Sequence, residues 1–402
     1  MGDPPLPAHA PTMRGRIGVI FLTVLIDLIG FGIIIPILPY YSQRFGANAL
    51  GFGVLMGAFS GMQFVATALL GRWSDRVGRR PIILATTVIN AAGYIMFAFA
   101  PSFGVLLIAR LVSGFAGGNI SAAQAYIADV TTSAERSKGM GMIGAAFGIG
   151  FTLGPAIGGI AGHYWGPTGP GLVAAGLSLG NFVLAYRILP ESLREEHRTA
   201  TQFWPFGRLA EAFRNARLRP LLIVWALAPF AFAGYTVALP LFANTTFGWH
   251  ERDLGFLFTV IGVTAALVQG WLFGRLVRLT GDRALLILGL FGMAAAIVAV
   301  PFLSGVPVLY GWTVVLSFSQ SVFAPAATGM VSVLAGPAEQ GTVLGVAQSL
   351  SALGRLLGPV ATGALYDRAG PMTAFVGAAA VMAIGGLVAF GVPRSDPARG
   401  SG

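Results

Sequence analysis

GRWSDRVGRRP, residues 71–81, sets four arginines and one aspartate into a chain that is otherwise 55% hydrophobic and 10% charged. A soluble domain carries roughly a quarter charged residues, so this composition belongs to a lipid environment and the basic stretch reads as a loop between buried segments. On either side of it lie apolar runs, at about 51–72 and 81–100, each near the roughly 20 residues that cross a bilayer. Working outward, further runs fall at about 17–41, 103–127, 139–162 and 168–189, then at 220–243, 253–276, 283–303, 306–333, 341–363 and 371–392. The expectation is an all-α membrane protein of twelve transmembrane helices in two sets of six.

Orientation follows from basic residues in short loops. Arg72, Arg76, Arg79 and Arg80 follow the second run, Arg136 and Lys138 the fourth, and Arg275, Arg278 and Arg283 the eighth, whereas the opposite loops hold Arg44, Arg252 and Arg368 one apiece. Both termini are therefore expected in the cytoplasm. The first run starts after Met13-Arg14-Gly15-Arg16, lacks a small-residue cleavage site and is too long for a signal peptide, so it reads as an anchor. The divisions expected are a tail at 1–16, a six-helix bundle at 17–189, a charged cytoplasmic linker at 190–219 with Glu191, Arg194, Glu195, Glu196 and Arg198, a second bundle at 220–392 and a tail at 393–402. The net charge of +10 is accounted for by topology. No basic helix or aromatic-basic surface points to nucleic acid. With no cysteine, and with His9, His163, His197 and His250 scattered, neither a metal nor any other cofactor is expected.

The chain repeats itself. GPAIGG (154–159) returns as GPVATG (358–363), 204 residues later, and the same shift takes Pro36 to Pro240, Glu135 to Glu339, Gly141 to Gly345 and Pro155 to Pro359. GRWSDRVGRR lands within a residue on the weaker GRLVRLTGDR at 274–283. Parallel halves enclosing a midplane cavity are a transporter plan in which one half rocks against the other.

The opening stretch resembles the loop signature of the major facilitator superfamily, G-x-x-x-D-R-x-G-R-R/K. DLIGFGIIIPILP (27–39), RLVSGFAGGNIS (110–121) and GAAFGIGFTLGPAIGG (144–159) resemble the drug:proton antiporter branch. With YIADVTTSAER (126–136) and LPESL (189–193), the first half is similar to tetracycline efflux proteins; the motifs are specific mainly before residue 200. Those proteins carry an acid in their ninth span, whereas residues 284–303 here carry none. The resemblance implies that the 71–81 loop latches the halves on the cytoplasmic side, with Gly71 and Gly78 turning the chain and Asp75, Arg76, Arg79 and Arg80 carrying the charge. The plain alternative is that the arginines only hold the loop inside.

An ionisable group within a span is costly and marks function by default. Asp27 lies ten positions past Ile17, about 15 Å deep. An acid whose protonation follows access to either side is what a proton-coupled exchanger needs, so Asp27 is the expected proton carrier; a permanently protonated or helix-bonded carboxyl is the alternative. Arg110, about 10 Å deep, keeps its proton and either tunes Asp27 or orders water, a part in proton transfer that the resemblance supports. Asp129 either caps its helix or pairs with Arg136. Arg355, at the repeat position of Phe151 and about 20 Å into its span, contacts an anionic substrate group, pairs with Asp27 or serves structure alone.

Gly144, Gly148, Gly154, Pro155, Gly158 and Gly159 form the antiporter motif, which the resemblance implies seals the interface between the halves; the alternative is close packing alone, since small residues four apart let helices approach closely. Cavity candidates, each equally able to bridge two helices, are Gln63, Asn119, Gln124, Tyr126, Tyr235, Gln320, Gln348 and Arg355. GMGMIG (139–144) fits a dinucleotide pattern but opens an apolar span without a preceding strand. GLSLG (176–180) fits a nucleophile pattern inside a span, without the strand-turn-helix that chemistry needs. No phosphate-binding G-x-x-x-x-G-K-S/T loop is present, so the energy source is a gradient and no enzyme is expected. The expected function is export of small amphipathic compounds in exchange for protons, by a monomer in the plasma membrane, as in a bacterial inner membrane. Export of an endogenous metabolite or sugar, and uncoupled lipid or lysolipid movement, are the alternatives.

Overall fold

A computed structural model describes residues 13–131, 133–193, 212–335 and 340–393. Residues 1–12 and 394–402, Glu339 and the linker residues Arg194, Glu195, Glu196 and Arg198 lie outside them, and the first helix begins at Met13, within the tail expected at 1–16. The described residues are helical and contain no strand. The first half comprises α1 (Met13–Ile34), α2 (Leu38–Gln43), α3 (Ala49–Val77), α4 (Arg79–Ala98), α5 (Phe103–Gly117), α6 (Ile120–Val130), α7 (Ser133–Trp165) and α8 (Thr168–Ile188). The second comprises α9 (Arg219–Phe247), α10 (Glu251–Leu267), α11 (Phe273–Thr280), α12 (Asp282–Ala299), α13 (Val306–Leu334) and α14 (Gln340–Ala389).

Among the described residues nine helical stretches are long and apolar enough to cross a membrane, against the twelve expected. The difference has identifiable causes. α1 contributes a shorter apolar helix, Gly18–Ile34, and the stretch Val343–Ala389 is counted once although Gly370, at φ 81°, breaks it into two helices. α7, 33 residues long, is not among the nine. Local chemistry sets the ends of several helices. The Asn48 side chain accepts from Gly51 N at 2.9 Å at the start of α3, Ser102 does the same for Val105 N at 3.4 Å at the start of α5, and Asp253 closes the first turn of α10 on His250 N at 3.0 Å.

The repeat is visible in the backbone. Gly46, Gly78 and Gly166 have positive φ in the first half, and Gly248, Gly281 and Gly370 do in the second, each close to the 204-residue shift. Such conformations favour glycine because a Cβ would collide with the chain, and here they separate consecutive helices. Within the halves α1 packs on α7 and α8, α3 on α5 and α4 on α8, while α9 packs on α14 and α12 on α13. Between the halves α3 packs on α14 and α7 on α10, two contacts that the repeat makes equivalent.

Candidate functional site

Asp27 sits on α1 among amide side chains from three other segments. Asn119, in the turn between α5 and α6, donates to its Oδ2 at 2.7 Å. Asn90 of α4 and Asn181 of α8 face the same carboxylate, and Asn181 Nδ2 also donates to Thr23 O at 3.3 Å. Asp27 Oδ1 is buried without a hydrogen-bond partner among the described residues. Buried polar atoms are nearly always paired, so an orphaned carboxylate oxygen marks a place where a proton or a water belongs. The Tyr94 hydroxyl rests on Gly30, one turn along α1; a Cβ at Gly30 would meet it at 2.8 Å. Asn90, Asn181 and Tyr94 were not among the sequence candidates, since an apolar run does not show which of its faces looks inward.

Arg110 does not meet Asp27. It is 3% exposed, its guanidinium lies 4.5 Å over the Phe59 ring and 5.8 Å from that of Phe31, and its Nε reaches Leu55 O at 3.5 Å. The two rings lie with centroids 4.6 Å apart and planes tilted by 36°, so an aromatic pair stabilises the buried cation where a carboxylate would be expected. Of the two roles read from sequence, direct tuning of Asp27 therefore lacks a contact.

The 71–81 stretch is the end of α3 and the start of α4, turned at Gly78 alone; Gly71, expected to turn the chain as well, lies inside α3, and the stretch forms a charge knot. Arg79 pairs with Asp75, reaches Asp129 Oδ2 through its Nε at 3.3 Å and donates to Ser74 Oγ at 2.7 Å. Asp129 thus pairs with Arg79 and accepts from Ser192 Oγ at 3.0 Å. The side chain of Arg136, its expected partner, lies outside the described residues. Glu191 accepts from Arg79 N at 2.9 Å and Arg80 N at 3.2 Å, placing a negative charge at the start of α4, where helix-end amides favour one. Arg80 donates to Tyr186 O at 2.7 Å, and Arg76 is exposed. These partners lie in the first bundle or in the residues just after it, and none is in the second half.

The halves approach one another at the opposite end, near Ala49 and Glu251. Bare backbone makes the contact. A Cβ at Gly57 would lie 2.6 Å from Leu356 O, one at Gly53 would strike Pro359 O, and one at Gly159 would lie 2.9 Å from Gly255 Cα. Of the antiporter motif, Gly154 and Gly158 lie against α1 at Ile29 to Ile33, Gly159 meets α10, and Pro155 lies between Gly32 and Gly255. The surroundings of Gly144 and Gly148 lie outside the described residues.

The remaining cavity candidates do not gather into one place. Gln63 Nε2 bridges to Gly117 O at 3.1 Å, Tyr126 is fully buried and donates to Pro190 O at 3.1 Å, and Tyr235 is packed on Phe232 and Phe375 in the second-half core. Gln124 and Gln348 are exposed, and Gln320 is half-buried. Arg355 is half-buried and donates to Ser351 Oγ at 2.6 Å; no ion pair joins it to Asp27.

The family model described as Major Facilitator Superfamily matches residues 20–280 and 244–402. The chain is 30% identical to Major facilitator superfamily domain-containing protein 10 of Homo sapiens, over 92% of this chain and 91% of that one. It is 31% identical to Tetracycline resistance protein, class D, of Salmonella ordonez, over 84% and 86%. Among solved structures it is similar to the human organic anion transporter MFSD10 (TETRAN), with TM-score 0.73, 28% identity and coverage of 94% of this chain and 100% of that one.

Proposed function

Because the chain belongs to the Major Facilitator Superfamily, a family of transporters and not of enzymes, we propose that it exports small amphipathic compounds in exchange for protons by alternating access. The observation that carries the reading is Asp27, a carboxylate within a span, held by amides, with no cationic partner among the described residues and with Oδ1 left open. Asp27 takes a proton on one side and releases it on the other, and the substrate crosses in the opposite sense. In the same reading all twelve spans cross the membrane, both termini and the 71–81 loop face the cytoplasm, and the Ala49 end faces outward. The membrane is the plasma membrane, as in a bacterial inner membrane, and the working unit is a monomer.

The joined Ala49 end supports a form whose substrate path faces inward. In that form Asp75 and Arg79 are engaged with each other and with Asp129, and the loop becomes the latch only when the halves close at its own end. Similarity to proteins described as tetracycline resistance proteins supports efflux as the direction.

The test is proton movement in liposomes with an imposed pH gradient, on adding cationic, neutral and anionic amphiphiles to the unaltered protein and to Asp27→Asn. Substrate-evoked proton flux that vanishes in Asp27→Asn supports exchange. Equal substrate movement in both proteins without proton flux removes Asp27 as the carrier and leaves uncoupled transport.

A further inference from the structure

Arg355 lies near the middle of the first helical part of α14, fifteen residues after Gln340 and fifteen before the break at Gly370. Its neighbours fix the direction in which it points. Gly354 and Gly358 press on α9, where a Cβ on Gly354 would lie 2.6 Å from Ala226 O, and Leu356 lies over Gly57 and Gly61 of α3. Leu353 and Leu357, 36% and 53% exposed, form the outer face. At about 100° per residue both are some 200° from Arg355, so the guanidinium points away from lipid, between a helix of the second half and one of the first.

A guanidinium there keeps its charge and needs a counter-charge. Its hydrogen-bond partner is the neutral Ser351 hydroxyl, and among the described residues no carboxylate forms an ion pair with it. Asp367, the next acid along the helix, lies twelve residues on, about 18 Å by helical rise, and accepts from the first amides of α3. Arg110, the other intramembrane arginine, is enclosed by Phe31, Phe59 and the α3 backbone. Arg355 is the half-buried one, on the face of its helix between those that meet α9 and α3.

We propose that Arg355, steadied by Ser351, binds the negatively charged group of an anionic amphiphile, so that this substrate class is the one the site selects. A planar guanidinium matches a carboxylate or sulfonate through two parallel hydrogen bonds, and the surrounding apolar helices take the hydrocarbon part. This deepens the export reading and rests on it for the substrate path. It also assigns cargo and proton to different halves, Arg355 in the second and Asp27 in the first.

The test is fluorescence binding of N-dansyl-leucine and N-dansyl-leucinamide, which differ only in the charge at one end, to the purified full-length protein in nanodiscs. The carboxylate is expected to bind at least about tenfold more tightly than the amide; Arg355→Gln brings the two together, and Arg355→Lys, which keeps the charge, retains part of the preference. Equal affinities in the unaltered protein, undetectable binding of the carboxylate, or a preference that survives in a folded Arg355→Gln overturns the proposal. Parallel liposome transport separates it from the export reading. Proton-coupled transport of both probes at equal rates leaves export standing and removes the anion anchor, whereas a charge preference in binding without transport of either probe keeps the anchor and removes export.

Discussion

The carboxylate of Asp367 receives the backbone amide of Leu50 at 2.8 Å, and that of Ala49 at 3.0 Å, across 317 and 318 residues of sequence. One helix of the second half thereby caps the first turn of a helix of the first, and the partial positive charge of the α3 start meets a full negative one. Asp367→Asn keeps the shape and removes the charge. Since the pair is exposed, the expected cost is about 1 kcal/mol, a roughly fivefold shift away from the form joined at the Ala49 end. Pairs of cysteines introduced across that end report it directly by cross-linking rate, because the chain has no cysteine of its own.

The glycine seam is less forgiving. A Cβ at Gly159 would lie 2.9 Å from Gly255 Cα, backbone against backbone, and neither helix can yield without moving its half. Gly159→Val is expected to leave the protein inserted and folded but to cut transport at least about tenfold, by keeping the Ala49 end from closing. Unchanged transport together with unchanged cross-linking at that end would remove the seam as a moving contact.

Two glycines of the 71–81 loop should respond differently. Gly78 has φ 107° and abuts the Glu191 carboxylate, so Gly78→Ala is strained and costs about 1–3 kcal/mol. At Gly71 a Cβ would meet Ser121 Oγ at 3.5 Å, an ordinary contact, and Gly71→Ala is expected to stay within about 0.5 kcal/mol. Thermal unfolding in detergent distinguishes them.

Glu191 holds together what the sequence keeps apart. It accepts from Arg79 N, Arg80 N, Ser192 N and Leu193 N, at 2.9 to 3.2 Å. Glu191→Ala orphans those amides and is expected to lower stability by about 1–3 kcal/mol, with amides 79 and 80 losing hydrogen-exchange protection first. Protection unchanged at both amides would show that another group replaces the carboxylate.

The helices, the 204-residue repeat and the close-packing role of Gly154 to Gly159 were legible because each is written in local pattern: apolar length, spacing and small residues. Direction was not legible. A membrane helix is apolar almost all round, so hydropathy gives no face, and nothing along α8 distinguishes Asn181, which looks toward Asp27, from an asparagine turned elsewhere. The same blindness made Tyr126 and Tyr235 plausible cavity residues, although one ties down the chain after α8 and the other fills an aromatic core. Partners were invisible too. The loop was expected to reach the other half, and here the Arg79 charge is taken up by Asp75 and Asp129, while Glu191 accepts from its backbone amide.

Placing a fixed cation at position 355 and a carboxylate at position 27 has a consequence for voltage. When a neutral cargo leaves as one proton enters, a single positive charge moves inward; a monovalent cation leaving cancels it, and a monovalent anion leaving doubles it. With the interior 100 mV negative, the doubled movement draws roughly 4–5 kcal/mol per turnover from the membrane potential, where exchange of a cation draws none. An exporter built around Arg355 would therefore run on membrane voltage even when the pH is the same on both sides.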